Sequence, residues 1–223
     1  MARVIAIDGP SGSGKSSTSR RIGRALGFLH VDSGALYRIM TWQCLAQGVE
    51  TSDPAAVAAC AERVQVECRP ENGALAYYVD GEAPGARIRT PEINAHASPV
   101  ATVKAVRDRI TALLRGMTRY GDLVVEGRDI TTVVFPDSPA RFYLTASPEA
   151  RARRRQLEEV ATGVANQSAE AVKASLLARD AIDSTRAYAP LRKADGVLEI
   201  DSTQLTLDQV VETVLDALPA GWR

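Results

Sequence analysis

Apolar and polar positions divide the chain into short, almost continuous apolar runs separated by longer stretches of mixed character. The runs are Val4–Asp8 (VIAID), Phe28–Asp32 (FLHVD), Leu123–Glu126 (LVVE), Arg141–Thr145 (RFYLT) and Val197–Asp201 (VLEID). Continuous rather than alternating runs of this length suit parallel strands covered on both faces. Most end in an acid, so polar groups gather at the carboxyl ends, the edge where open parallel sheets bind ligands.

The intervening stretches carry helix signals. Ser16–Leu26 follows the first run, and Thr206-x-x-Gln209 reads as a capping box before the last helix. Ser98-Pro99 and Ser147-Pro148-Glu149 each read as an N-cap followed by proline at the first helical position, opening helices to about Arg115 and about Val160. Ser168 opens another, joined to the preceding helix by a glycine-containing link. Strands alternating with helices indicate an α/β fold with a five-stranded parallel sheet. Between Val64 and Arg89 the pattern switches to alternation around Glu71-Asn72-Gly73 and Asp80-Gly81, which predicts a small antiparallel sheet inserted into the core.

Composition narrows the class. The chain has 223 residues, 45% hydrophobic and 24% charged, with 27 acids balancing 27 lysines and arginines. That length buries a sizeable core, and zero net charge gives no field favouring a polyanion or a membrane surface. Cys44, Cys60 and Cys68 are odd in number and lack metal-ligand spacing, which fits reduced thiols in a cytosol. The opening apolar run is too short for a signal peptide, and no segment approaches the ~20 apolar residues of a membrane span. The expectation is a cytoplasmic, monomeric protein acting on small molecules, without nucleic-acid or membrane partners.

Chemistry enters with Gly9-Pro10-Ser11-Gly12-Ser13-Gly14-Lys15-Ser16-Ser17. Its Gly-x-x-x-x-Gly-Lys-Ser core matches the phosphate-binding Walker A pattern between a predicted strand and a predicted helix. Glycines let backbone N–H groups converge on phosphate oxygens, and the helix N-terminus adds positive potential. Lys15 is then expected to reach the β/γ-phosphates of ATP, and the Ser16 hydroxyl to sit on Mg²⁺. The plain alternative is a chance glycine-rich turn.

Further groups converge on the same edge. Asp32, Ser33, Tyr37 and Arg38 follow the second run; Glu126, Arg128 and Asp129 follow the third. Arginine forks suit a tetrahedral anion. Arg179, Asp183 and Arg186 share a helix face by spacing, and Arg151, Arg154 and Arg155 cluster on another, a set able to close over a transferring phosphoryl group. Each has an ordinary reading: Arg179/Asp183 as a surface pair, the Arg151–Arg155 cluster as a solvated face, Ser98 as a helix cap, Asp32 and Asp129 as loop caps. His30 and His96 have no ligand-spaced partners and read as structural.

Together the motifs "IDGPSGSGKSS", "DSGALYR", "IRTPEINAHASPVA", "GRDITTVVFPDS", "ARRR", "RDAIDSTRAYAPL" and "IDST" resemble the bacterial cytidylate kinases, over nearly the whole chain. The resemblance implies one P-loop kinase domain over 1–223, a three-layer fold with a monophosphate-binding insertion at about 38–98 and a helical lid at about 148–186. It implies transfer of the γ-phosphoryl group of ATP, with Mg²⁺, to CMP or dCMP. Ser98, Arg107 and Asp129 would hold the cytosine and Asp183 the sugar. Ser33, Tyr37, Arg38, Arg128, Arg89 and Arg186 complete the acceptor set, and Lys15, Arg128, Arg154 and Arg179 would act on the transferring phosphate. Three positions depart from the family pattern. Glu126 stands where Asp is usual, Thr131 where Gly is frequent, and Ile182 in a stretch usually richer in arginine. The rival readings are a kinase of UMP or of an alcohol, with Asp32 as the obvious base, and a nucleotide-dependent switch without an acceptor.

Overall fold

A computed structural model describes residues 2–161 and 168–223, without the side chains of residues 159 and 161. All five expected strands form: β1 (Val4–Asp8), β2 (Leu29–Asp32), β5 (Leu123–Gly127), β6 (Ala140–Thr145) and β7 (Leu198–Asp201), each pairing parallel with its neighbours. Two more, β3 (Val66–Glu71) and β4 (Ala74–Val79), make the antiparallel hairpin. Its turn is Asn72-Gly73, both in the left-handed region (φ 48° and 76°) that tight hairpin turns require.

The hairpin is not a separate sheet, as the sequence suggested. It extends the main one to seven strands in the order β3-β4-β2-β5-β1-β6-β7, through a parallel pairing of β4 with β2 at His30 and Ala74. The His30 N–H donates to the Gly73 carbonyl at 3.0 Å.

Strand alternation builds the layers. Ile5, Ile7 and Val124 point to one face with Ile22, Val210 and Val214, from α1 (Lys15–Leu26) and α8 (Leu207–Asp216), and with Phe28, between α1 and β2. Val4, Ala6, Leu123 and Val125 point to the other. There they meet α2 (Ser33–Ala46), α3 (Pro54–Arg63) and α5 (Lys104–Gly116) through Leu36, Ile39, Val57, Val106 and Ile110. The result is the three-layer α/β fold, with the central strands β1 and β5 buried along their whole length.

The helix signals held at Thr206, which forms the full capping box, and at Ser147 and Ser168, whose hydroxyls accept from Ala150 N and Ala171 N at 3.2 Å each. These open α6 (Pro148–Ala161) and α7 (Ala169–Thr185). The expected link between them, 162–167, lies outside the described residues, and with it part of the lid span. Ser98 is a correction. The cap is Thr90, whose hydroxyl accepts from Ile93 N at 3.2 Å, with Pro91 at the first position of α4 (Pro91–Val100). Ser98 and Pro99 fall in its last turn; the chain then breaks and restarts as α5 after Val103. Thr90-Pro91 carries the same cap chemistry upstream, and Pro99, without an N–H to bond four residues back, fits the end of α4 rather than its middle.

Candidate functional site

The glycine-rich loop runs from the end of β1 into α1, with Gly14 as N-cap at φ 93°. Gly9 is fixed by space as well as by backbone: at φ 152°, a Cβ there would lie 1.9 Å from the Leu144 carbonyl oxygen. Lys15 is buried and donates to the Pro10 carbonyl at 2.7 Å and to Ser13 Oγ at 3.4 Å. Burial, then the Arg128 guanidinium, lowers its pKa to about 7. Ser16 Oγ donates to Glu126 Oε2 at 2.7 Å. Ser17 is exposed.

From the loop a continuous chain of polar contacts crosses the strand edge. Arg128 Nη2 donates to Ser11 Oγ at 2.8 Å and its Nε to Asp183 Oδ2 at 3.0 Å. Asp183 also accepts from Arg186 Nη1 at 3.3 Å, and Arg186 lies 3.8 Å from Asp129. Asp129 faces Arg107 at 2.6 Å, and the Arg107 guanidinium sits 5.2 Å from the Tyr37 ring centre. Burial, then Asp129, raises the Tyr37 phenol above its ordinary pKa.

The Arg107–Asp129 pair is close but poorly aligned for hydrogen bonding. Asp129 Oδ2, Arg107 Nε and Arg107 Nη2 are buried without a hydrogen-bond partner among the described residues. The buried pair thus keeps its charge attraction but leaves hydrogen-bonding capacity on both side chains unfilled, while Arg107 Nη1 donates to the Ala101 carbonyl at 3.1 Å. Ser98 is buried beside the same α4–α5 break, 6% exposed.

A second cluster faces the loop. Arg89 pairs with Asp32 at 3.0 Å, and Asp32 Oδ1 caps α2 through Ala35 N at 3.1 Å. Burial pushes Asp32 up, but Arg38, Arg89 and His30 outweigh it and hold the carboxyl at about 2. Arg38 donates to Asn94 at 3.4 Å, and burial depresses it, with Arg89 and Arg128 adding to the effect. Ser33 Oγ donates to the Glu126 carbonyl at 2.6 Å, which fixes the start of α2 against β5.

The two rows of arginines divide into anchors and unmatched charges. Arg151 is no solvated residue: it is 5% exposed, bonds the Ser11 carbonyl at 3.0 Å and the Ala146 carbonyl at 3.1 Å, and pairs with Asp180. Asp180 also accepts from Ser11 N at 3.0 Å, so α6 and α7 both dock on the glycine-rich loop. Arg154 reaches the Ser202 carbonyl at 2.6 Å and the Ser13 carbonyl at 3.4 Å. Arg179 and Asp183 do not form the surface pair that their spacing allows, because Asp183 is buried between Arg128 and Arg186. The Arg179 Nε is buried without a hydrogen-bond partner among the described residues, and burial, then Arg128 and Arg38, brings the pKa down to about 9. Arg186 lies just past the end of α7, with its Nε and Nη2 on the Tyr188 and Ala189 carbonyls and its Nη1 on Asp183.

Several supporting residues were not singled out from the sequence. Asp8, fully buried at the end of β1, accepts from Ile130 N at 2.9 Å, Thr131 N at 2.7 Å and Thr131 Oγ1 at 2.7 Å. Burial raises it to about 6 against those three bonds. It ties the loop carrying Asp129 to the strand that feeds the glycine-rich turn. Thr131 thus supplies a donor that glycine lacks, in a backbone that needs no positive φ. Asp180 was legible only as an acid beside Arg179, and His30 only as a histidine without spaced partners. An open groove of about 540 Å³ between β3 and α5, lined by Val66, Cys68 and Arg109, shares no residue with these clusters.

The family model described as cytidylate kinase matches residues 5–220. The chain belongs to the cytidylate kinase family. It is 45% identical to a cytidylate kinase of Streptomyces avermitilis, over 96% of this chain and 91% of that protein. It is 40% identical to a cytidylate kinase of Shouchella clausii, over 95% and 94% respectively. Among solved structures, an uncharacterized protein from Eubacterium ventriosum matches with a TM-score of 0.51 at 10% identity, covering 96% of each chain, a likeness of fold. For a cytidylate kinase, the glycine-rich loop and the incompletely hydrogen-bonded Arg107–Asp129 pair at one sheet edge are the features to be explained together.

Proposed function

We propose that this chain transfers the γ-phosphoryl group of ATP to the phosphate of CMP or dCMP, giving ADP and CDP or dCDP. The observation that carries the reading is a cluster of cations, Lys15 buried with Arg38 and Arg179 half-buried, beside the glycine-rich loop and Arg128. Lys15, Arg38 and Arg179 are each depressed by burial and by neighbouring arginines, Arg128 among them for all three. Such a cluster is unfavourable until an anion arrives, and a phosphate chain with its acceptor supplies several.

ATP is the co-substrate of this family and lies with its phosphates along Gly9–Ser17, with Lys15 at the γ-phosphate. Arg128, Arg154 and Arg179 neutralise oxygens of the transferring group. Ser98, Arg107 and Asp129 read the base: cytosine presents an amino donor beside acceptors, matching a carboxylate, a guanidinium and a hydroxyl. Asp183 takes the sugar hydroxyls, and Ser33, Tyr37, Arg38, Arg89, Arg128 and Arg186 surround the monophosphate. Arg186 acts mainly by holding Asp183, given its carbonyl bonds.

Mg²⁺ fits the donor set. The Ser16 hydroxyl and the Glu126 carboxylate are hard oxygen groups 2.7 Å apart, and Mg²⁺ completes its shell with waters and phosphate oxygens rather than a protein cage. When bound, the ion supplies charge neutralisation on the phosphates.

The acceptor phosphate has a second pKa near ~6, so at neutral pH it is mostly a dianion and needs no general base. Catalysis is then positioning and charge neutralisation. An alcohol acceptor would need a base. Asp32, held near 2 and paired with Arg89, is unsuited to take a proton at neutral pH. The insertion at about 38–98 carries the acceptor and the segment at about 148–186 closes over the donor, keeping water from the phosphoryl group. The buried free thiols Cys44, Cys60 and Cys68 suit a reducing cytoplasm, and the balanced charge suits a monomer's small-molecule substrates no less than an oligomer's, and better than nucleic acid. No helix among the described residues is long and apolar enough to cross a membrane.

The test is ADP formation from ATP and Mg²⁺ with CMP, dCMP, UMP, an alcohol or no acceptor. The reading requires fast turnover with CMP or dCMP and little without acceptor. Equal rates in the absence of any acceptor would favour a hydrolase or switch.

A further inference from the structure

His30 was read from sequence as a structural residue, yet its ring occupies an unusual place. It is 4% exposed, projects from β2 on the same side as Asp32, and lies with Nε2 2.9 Å from Glu126 Oε1. The other oxygen of that carboxylate, Oε2, accepts from Ser16 Oγ at 2.7 Å. Glu126 is itself only 4% exposed. One carboxylate thus bridges an imidazole and the hydroxyl at the first turn of α1.

The hydrogen assignments follow from the chemistry. An ionised carboxylate only accepts, so both His30 Nε2 and Ser16 Oγ must carry the hydrogens in these bonds. Ser16 then has its lone pairs directed away from Glu126, free for a cation. With one Glu126 oxygen tied to Nε2, the carboxylate cannot rotate without breaking a buried bond. Partners of this kind, one step removed from the ion, commonly set ligand orientation in metal sites.

We propose that His30 is a positioning residue for the Mg²⁺-bound donor nucleotide: it holds Glu126 so that the carboxylate takes the Ser16 hydrogen and presents the Ser16 oxygen to the ion. This rests on the assignment of Mg²⁺ to Ser16 made above. It also gives a reason for glutamate at position 126. The side chain spans from β5 to both Ser16 and His30, and an aspartate, shorter by one methylene, cannot keep both contacts from the same backbone position. The backbone role of His30 is separable. Its N–H holds the β3–β4 hairpin through the Gly73 carbonyl, and substitution of the side chain leaves that bond in place.

The experiment measures ATP binding by calorimetry twice for each protein, with excess EDTA and with Mg²⁺, alongside CMP binding. The proteins are the wild type, His30→Leu, His30→Gln and Glu126→Asp. In the wild type, Mg²⁺ must tighten ATP binding; if it does not, the Mg²⁺ assignment fails before His30 is at issue. Given that it does, His30→Leu should lose about tenfold of the Mg²⁺-dependent gain, the lower range for such partners. ATP binding in EDTA and CMP binding should stay within about twofold. His30→Gln, which retains an N–H donor, should recover most of the gain. Glu126→Asp combined with His30→Leu should be no worse than Glu126→Asp alone, because the bridge is already broken. The proposal is overturned if His30→Leu keeps the full Mg²⁺ gain, or if it weakens ATP in EDTA and CMP by the same factor as MgATP. Should His30→Leu fail to fold, His30→Gln and Glu126→Asp carry the test: a full Mg²⁺ gain in Glu126→Asp overturns it.

Discussion

Replacing Lys15 with methionine should make the ligand-free protein more stable while abolishing turnover. Burial and Arg128 bring the Lys15 pKa from an ordinary 10.5 to about 7. At about 1.4 kcal/mol per pH unit, that difference places a ceiling of about 5 kcal/mol on the cost of keeping the ammonium charged in the empty site. The Pro10 carbonyl and Ser13 hydroxyl lose their donor in the variant, and two such bonds return about 2 kcal/mol. A net gain of about 2–3 kcal/mol is therefore expected at pH 6. The sign with pH follows from linkage. A base whose folded pKa is depressed destabilises the fold fully below that pKa, and the cost fades as pH rises from about 7 toward 10.5. Stability of the wild type should thus climb relative to Lys15→Met across that window, and the two should cross at about pH 9, where the remaining charge cost equals the two lost bonds. Urea unfolding from pH 6 to 10, without nucleotide, measures it. With saturating ATP and Mg²⁺ the wild type should overtake the variant, because phosphate then supplies the missing counter-charge. A variant less stable than the wild type at pH 6, or an advantage that does not change with pH, would refute the argument that the loop is a strained cation awaiting phosphate.

Two further outcomes test other parts of the site. Arg107→Ala should weaken CMP binding by about a hundredfold and destabilise the ligand-free protein by about 3 kcal/mol, since Asp129 is left buried without its partner; ATP affinity, read by calorimetry on the folded fraction, should hardly move. Thr131→Val removes one of the three donors to Asp8 and should cost about 1–2 kcal/mol at pH 8, but less at pH 5, by thermal unfolding. The Asp8 carboxyl is raised from 3.8 to about 6, so the stability it contributes is present below about 4 and lost as pH rises through about 6, where the charged form leans most on that hydroxyl.

Sequence patterning was enough for the parts of the fold that depend on burial alone. Runs such as VIAID and LVVE are buried on both faces in the structure, and periodicity reads that directly. The capping signals worked where one candidate stood alone, as at Ser147 and Thr206. They failed at Ser98 because Thr90-Pro91 offered the same chemistry earlier, and only packing of α4 decides between them. The glycine-rich loop was legible because its requirement for glycine is local: the positive φ at Gly12 and Gly14 belongs to the turn itself. The partners of the arginines were not legible. Asp180 reaches Ser11 and Arg151 across the fold, and Asp183 turns toward Arg128 rather than toward its neighbour in the helix. The hairpin's junction with β2 was hidden for a similar reason, since it rests on the brief pairing at His30.

The proposed transfer requires donor and acceptor phosphates to meet across one sheet edge. The most direct measurement is calorimetric titration with a dinucleotide in which adenosine and cytidine are joined through their 5′ positions by five phosphates. It should bind one per chain, at least a hundredfold tighter than ATP or CMP alone, and should block the binding of both. Binding no tighter than the better single nucleotide, or displacement of only one of the two, would show that the two sites do not face each other.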